Sequence, residues 1–466
     1  MSRSTSILTI GAAALLTAAP ALAQDAQGPT DPPATPAAAS DTSSSGALKK
    51  ISLEKKIEIQ HLRPHDKRGL NVFETPKEPG VAFTGFKLDW GAAFTQQFQG
   101  LTHENSASPV MKPVATGGEY NANQLMDIGK GFNNATANLY LDAQLAPGIR
   151  VALSTYLSSR HHQETWVKDG YLLIDDSPID VPALKTLMQY VTVRAGHFEI
   201  NYGDAHFRRS DNGNAIYNPF VGNYILDAFT TEVGAEVYAR HKGLMAMAGV
   251  TGGEIKGNVL TPDDRSPAFY GKLGVDRQLT PDLRVRLTGS AYRNEKSPAN
   301  TLYAGDRAGS RYYFVLENTQ ATSNGNYSSG LVNPAFRREV TAFQINPFVK
   351  YQGLELFGIV EQAKGRSASE SVERTWNHYA VDAIYRFLAD EKLYVGARYN
   401  VAKGELQGIA NDVSLDRAAL GAGWFITPAI LMKGEWVTQK YNDFPLTDIR
   451  HGGKFSGFVV EGVVSF

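Results

Sequence analysis

From Phe86 onward, apolar and polar residues alternate with the period of two that a β-strand imposes on its side chains. In Phe86 to Phe98, residues Phe86, Leu88, Trp90, Ala92, Phe94 and Phe98 share one face, with Gln96 the exception, and Lys87, Asp89, Thr95 and Gln97 share the other. Leu139, Leu141, Ala143 and Leu145 alternate with Asn138, Tyr140, Asp142 and Gln144, and Ile149, Val151, Leu153 and Leu157 with Arg150, Ser154, Tyr156 and Arg160. The pattern returns around Leu283–Ser290, Leu393–Asn400 and Ile430–Gln439. In the last run, Phe458, Val460, Gly462, Val464 and Phe466 lie opposite Phe455, Gly457, Val459, Glu461, Val463 and Ser465. A final strand paired on one side only would leave an edge open to aggregation, so pairing with the first strand is expected.

One alternating strand fits a soluble sandwich as well as a membrane barrel. The connections separate the two. Short turns are expected at Ala146-Pro147-Gly148, Arg240-His241-Lys242, Leu279-Thr280-Pro281-Asp282, Gln352-Gly353, Ala389-Asp390-Glu391 and Thr427-Pro428. Between them lie long polar stretches: Thr102 to Phe132, Tyr202 to Phe229, Gly252 to Pro267, Glu295 to Arg337, Lys403 to Asp412 and Tyr441 to Gly453. One turn-side connection, Asp175 to Gln189, is long, and Val181 to Met188 reads as a short helix. The predicted fold is all-β: a transmembrane antiparallel β-barrel of about 16 strands with short periplasmic turns and long extracellular loops. Trp90, Tyr140, Tyr171, Tyr270, Tyr351, Tyr385, Tyr399, Trp424 and Trp436 are candidates for the aromatic girdles of such a barrel.

Composition narrows the class. The 466 residues carry a formal charge of −1, which gives no footing for a nucleic-acid partner, and no Cys, which excludes a disulfide scaffold. Past the N-terminus no apolar run is long enough for a membrane-spanning helix. Residues 1–23 read as a signal peptide: Arg3, an apolar core from Ile7 to Ala19, and Ala21-Leu22-Ala23 as a cleavage site after Ala23, which implies export to the bacterial outer membrane. Residues 24–48, rich in Ala, Pro and Ser, read as a disordered linker. Residues 49–80 are basic and read either as a solvated periplasmic arm or as a plug folded into the lumen, with Arg68 to Glu74 the part expected to dock. Residues 81–466 form the barrel.

On the lumen face, alternation places Arg150, Arg160, Arg194, Lys272, Arg284, Arg286, Lys350, Arg386, Arg398 and Lys433, against Asp142, Asp276, Glu355, Asp382, Glu435 and Glu461. Rings of cations select anions. Arg284 and Arg286 are one pleat apart on the same face with no acid between them, so they are the pair expected to act on a permeating anion. The other reading is that these charges form lumenal salt bridges that stiffen the wall. His161, His162, His197 and His206 have no metal-ligand spacing, and no metal or other cofactor is expected. No G-x-S-x-G or Ser/His arrangement marks an enzyme, and no catalytic residue is assigned.

The stretch Val193 to Arg209, VRAGHFEINYGDAHFRR, carries R-x-G-x-F-x-x-x-[YF]-G through Arg194, Gly196, Phe198, Tyr202 and Gly203. It resembles bacterial outer-membrane porins of the phosphate-selective O/P family. The resemblance implies that the following long loop folds inward and sets the narrowest point, so Asp204, His206, Arg208, Arg209 and Asp211 are expected either at a constriction or at the outer rim. It also implies a homotrimer. The chain departs from that family in lacking a dense Arg/Lys ladder and in carrying the arm, so general porin behaviour is expected: diffusion of small hydrophilic solutes or ions with a weak anion preference. The alternative is a plugged or closed barrel acting as a gated transporter, receptor or anchor. The implied partners are outer-membrane lipid, small hydrophilic or anionic solutes, and the barrel-assembly machinery through Phe466. Under this reading Val285→Arg faces lipid and costs stability, while Ser290→Arg faces the lumen and alters selectivity.

Overall fold

The computed structural model describes residue 59 and residues 62–75, 83–115, 117–161 and 164–466. The expected signal peptide, the linker, His162 and the remainder of the 49–80 segment lie outside the described residues. Sixteen antiparallel strands make the barrel: β1 (Lys87–Glu104), β2 (Thr136–Ala146), β3 (Ile149–Ser158), β4 (Trp166–Ile174), β5 (Val191–Glu199), β6 (Thr231–His241), β7 (Leu244–Thr251) and β8 (Ala268–Thr280), then β9 (Leu283–Asn294), β10 (Glu339–Tyr351), β11 (Leu354–Arg366), β12 (Arg374–Phe387), β13 (Leu393–Gly404), β14 (Val413–Thr427), β15 (Ile430–Asn442) and β16 (Lys454–Ser465). The sheet has a seventeenth member, the two-residue segment Gly131–Phe132, which pairs only with β1. A short helix, α1 (Pro182–Leu187), sits in the one long turn-side connection, with Pro182 at its start.

Closure occurs as the terminal pattern required. β1 and β16 pair from Ala93↔Ser465 to Glu104↔Lys454. The Phe466 and Ala92 backbones exchange two further hydrogen bonds of 3.0 Å. With no open edge, every strand hydrogen-bonds on both sides, which a lipid environment demands. The connections alternate. One end of the barrel, the turn end, carries 147–148, 242–243, 281–282, 352–353, 388–392 and 428–429, and the opposite loop end carries the long segments.

The alternating faces fall as chemistry dictates. Leu139, Leu141, Leu153, Leu273, Leu287, Phe343, Ile345, Val381, Leu420 and Val460 point outward and are exposed, as a lipid-facing belt requires. Of the girdle candidates, Trp90, Tyr351, Tyr385, Tyr399, Trp424 and Trp436 are outward and exposed. Tyr140 and Tyr270 are buried inside, and Tyr171 lines an inner cavity. These three sit on the polar parity of their strands, so their rings belong to the lumen and not to a girdle.

A barrel of this size is too wide for wall side chains to meet across it. Two loop-end segments fill the gap. Residues 200–230, after β5, are almost wholly buried, and the segment 295–338, after β9, buries Leu302, Tyr312, Val315, Leu316 and Phe336. The inward faces of β14–β16 are partly apolar, through Leu415, Leu431, Val437, Phe455, Val459 and Val463, and join Ile216, Phe220, Val221, Ile225 and Leu226 in one cluster. The lumen therefore contains an apolar core on that side. Inward charges remain among these apolar residues, Lys433 on β15 and Glu461 on β16.

Candidate functional site in the barrel lumen

The turn into the lumen is made by the motif at the end of β5. Arg194 ion-pairs with Glu236 on the neighbouring strand and lies over the Phe198 ring at 4.4 Å. Gly203 adopts φ +68°, and a Cβ there would collide with the Gln344 side chain on β10. Glycine is thus required for the chain to cross to the far wall. There Gly203 N–H donates to Ser290 Oγ at 3.1 Å, and Asp204 N–H to Asn346 Oδ1 at 2.8 Å. The loop continues back across the lumen. Lys433 Nζ donates at 2.8 Å to each of the carbonyls of Ala215, Asn218 and Phe220 and pairs with Glu461 at 2.9 Å.

Of the two positions open for the charges at the start of this loop, the lumen is the one occupied. Asp204 is fully buried and is held by Arg286 at 2.8 Å, Lys272 at 2.9 Å and Thr288 at 2.8 Å. His206 hydrogen-bonds Glu199 and, at 3.1 Å, Asn201. Arg209 lies against Asp227 at 2.7 Å, Asp306 at 2.9 Å and the face of Phe229. Asp211 takes the Lys168 ammonium at 3.1 Å and the Tyr156 hydroxyl. Arg208 meets Glu355 at 3.5 Å and Asn71 of the arm. Burial pushes the Asp204 carboxyl up, but Lys272 and Arg286 pull it down further, and the net is below the usual carboxylate range. Burial pushes the His206 imidazole below its ordinary range despite its bond to Glu199.

The wall cations are also paired. Arg150 meets Asp175 at 2.6 Å, Lys350 meets Glu391 at 2.7 Å, and Arg398 meets Asp382 at 2.7 Å. The expectation of an acid-free Arg284/Arg286 pair is corrected. Asp276, on the adjacent strand, takes Arg284 at 2.7 Å and Arg286 at 3.2 Å, and Asp204 and Glu74 take Arg286 from inside the lumen. Neutralisation comes from register and from the infolded segments, neither of which is visible along a single strand. The salt-bridge reading of the lumen charges is the one the geometry matches.

Between the charged wall of β2–β6 and the loop lies a cavity of about 200 Å³, lined among others by Lys168, Asp169, Arg194, Glu199, Arg209 and Arg240. Strict alternation cannot place both Lys168 and Asp169 inside. The register between β3 and β4 shifts there: Ser154 pairs with Asp169 and Thr155 with Val167, so Lys168 is a bulge residue. The bulge turns two consecutive charges into the lumen. Arg240 lies over the Tyr238 ring at 4.6 Å, and among the described residues no carboxylate lies within ion-pair distance of it. A second cavity, about 130 Å³, is lined by Asp227, Tyr303, Asp306, Tyr327 and Arg337. The Arg209 cluster touches both, because its guanidinium borders the first and its two carboxylates border the second.

Residues 62–75 reach into the lumen at the turn end. His65 stacks on Tyr140 at 3.7 Å and pairs with Asp142 at 3.2 Å. Arg63 lies over the Tyr217 ring at 3.6 Å and donates to Phe207 O at 3.0 Å. Phe73 is buried edge-on against Phe207 and Phe348. Asn71 donates to Glu355 at 2.6 Å, and Glu74 meets Lys272 at 3.1 Å, Arg286 at 2.7 Å and Asn201 at 2.9 Å.

This geometry defines a transmembrane β-barrel of porin size with an infolded loop after its fifth strand. No protein-family model matches the chain, the phosphate-selective family included, and no curated protein matches it. Among solved structures, OmpT, an outer membrane protein of Vibrio cholerae, is similar over 82% of this chain and 100% of its own, at 10% identity and TM-score 0.47. The anion-selective porin from Comamonas acidovorans is similar over 82% and 100%, at 13% identity and TM-score 0.47. OprB of Pseudomonas putida is similar over 82% and 94%, at 11% identity and TM-score 0.47. These values carry no statement about solute or selectivity.

Proposed function

We propose that the protein is an outer-membrane porin through which small hydrophilic solutes and ions diffuse along the β2–β6 wall. The observation that carries this reading is the pair of cavities on either side of the Arg209 cluster, one between the β2–β6 wall, the loop and residues 62–75, and one among the loop-end segments. Charged and tyrosine-lined walls solvate a polar solute, while the apolar cluster closes the opposite side of the lumen. The function needs no covalent chemistry, so none of the residues named is catalytic. Arg194, Asp204, His206, Arg208, Arg209 and Asp211 shape the constriction. Arg150, Arg284, Arg286, Lys350, Arg398 and Lys433 hold the wall and the loops through ion pairs. Selectivity is weak, with any anion preference resting on cations such as Arg240 and not on Arg284 and Arg286. The assembly is a homotrimer in outer-membrane lipid, delivered through the terminal Phe466. The test is single-channel conductance in planar bilayers under a salt gradient. Steady current with a small reversal potential is expected. No current from either the full chain or a chain lacking residues 62–75 would overturn the reading.

A further inference from the structure

Residues 62–75 lie inside the barrel yet take no part in its sheet. Among the described residues the segment's regular structure is one short turn, Lys67–Gly69, and its backbone bond to the barrel is Lys67 N–H to Pro428 O at 2.9 Å. The segment is held by side chains, and the carboxylate among its polar anchors is Glu74, whose side chain is buried. One Glu74 oxygen accepts from Lys272 and Asn201, and the other faces Arg286. Lys272 and Asn201 are within 1% of full burial, and Arg286 is 3% exposed.

The charges around that carboxylate do not balance without it. Lys272, Arg284 and Arg286 face Asp204 and Asp276, so three cations meet two carboxylates, and Glu74 is the third. The site is thus an anion site filled by the chain's own side chain. Its shape selects the anion. The donors approach two oxygens of one planar group, as a carboxylate offers. Asp204 already shares both Lys272 and Arg286, so the place Glu74 fills is that of one further carboxylate.

We propose that the lumen behind the turn-end mouth holds a monocarboxylate-binding site, built by Lys272, Arg286 and Asn201, which residues 62–75 occupy through Glu74 as a withdrawable plug. When the plug leaves, a solute carboxylate takes its place. The inference deepens the channel reading and rests on it only in treating the ligand as a passing solute.

The chain has no Cys, so a single introduced thiol reports one position. Val72 is half-buried between the docked Asn71 and Phe73; Val72→Cys is made in the full-length protein, and the rate of maleimide labelling is followed. Slow labelling is expected, rising roughly tenfold or more when Glu74→Ala removes the charge-assisted bonds. Acetate restores the lost group and slows labelling again. Acetamide, of the same shape without the charge, does not. Glu74→Gln, which keeps the volume, labels fast as well and guards against a variant that merely misfolds. Equal labelling with and without Glu74, or equal rescue by acetate and acetamide, overturns the proposal. In bilayers a chain lacking residues 62–75 conducts several-fold more than the full chain, and acetate reduces its chloride current. Equal conductance of the two defeats the plug and leaves the channel standing. Silence of both, with labelling as expected, defeats the channel and leaves the carboxylate site standing.

Discussion

Lys433→Met tests how the constriction is held. The ammonium is fully buried, donates to three loop carbonyls at 2.8 Å and pairs with Glu461 at 2.9 Å. Met keeps an unbranched chain one atom shorter but donates nothing. Removing one partner of a buried pair costs about 3–5 kcal/mol where the other charge is left alone; Arg311 stays 3.9 Å from Glu461, so the lower end applies. The three carbonyls lose a charged donor worth about 1.5–3 kcal/mol each while they stay buried. They recover water if the 215–220 segment lifts from the wall, so the full sum is not realised and the loop moves instead. With about 3 kcal/mol as the lower bound, the ratio of released to docked loop rises more than about a hundredfold, at 1.4 kcal/mol per decade. Glu461 keeps a bond from Gln97 at 2.5 Å, so the β1–β16 closure survives. The assay is single-channel current together with barrel melting. Larger, noisier currents and a lower melting temperature are expected, and Glu461→Gln should cost less in the Lys433→Met background than alone, because their pair is already lost. A quiet channel of unchanged conductance, or costs that simply add, would refute the claim that Lys433 anchors the loop.

Two further predictions concern the wall and the plug. Val285→Arg and Ser290→Arg both destabilise the barrel, the first by about 2–4 kcal/mol through lipid exposure of a charge. The second does so by about 1–3 kcal/mol through overpacking beneath Gly203, and only it changes conductance. Indistinguishable conductance in the two variants would contradict the position of the loop. For pH, burial raises the Glu74 carboxyl, but Lys272 and then Arg286 lower it further, leaving it well below its ordinary 4.5. A depressed carboxylate contributes docking stability fully above its ordinary value and loses it as pH falls through the folded value. The groups facing it include Lys272, Arg286, Asp204 and Asn201, with Arg240 nearby. None of them titrates between pH 5 and 8 at ordinary ranges. Labelling of the Val72→Cys variant therefore stays flat across that span and rises only in stronger acid. A rise between pH 5 and 8 would contradict the Glu74 anchor.

The strands were legible because the lipid face admits only apolar side chains, and that constraint writes itself into every second residue. Turn lengths were legible for the same reason. Some of the lumen ion pairs were within reach too. A short turn fixes register, so Thr280 to Leu283 brings Asp276 opposite Arg286, the Gln352-Gly353 turn brings Lys350 opposite Glu355, and Asp382 comes opposite Arg398. Reading charges strand by strand and not across turns produced the mistaken acid-free pair. Other features had no such signal. Lys433 meets Glu461 across a long loop-end connection whose length does not fix register. The Lys168 bulge breaks the assumed period. The second infolded segment, 295–338, looks polar on average, yet Tyr303, Tyr312, Val315, Leu316 and Phe336 were the cue that part of it needed a core.

The pairing of lumen charges follows from what fills the lumen. In an open aqueous pore a wall arginine is solvated and remains available to a passing anion. Here two loop-end segments and residues 62–75 displace that water, and an unpaired charge among them would bear a desolvation cost of several kcal/mol. Carboxylates from the loops and the arm therefore converge on the wall cations: Asp204 on Lys272 and Arg286, Glu74 on the same two, Asp211 on Lys168. The ion pairs that suppress strong selectivity are the ones that dock the loops. A substitution at Asp204 or Glu74 that frees Lys272 and Arg286 for a solute also frees the segment that covered them, so on the channel reading selectivity and gating change together at that site.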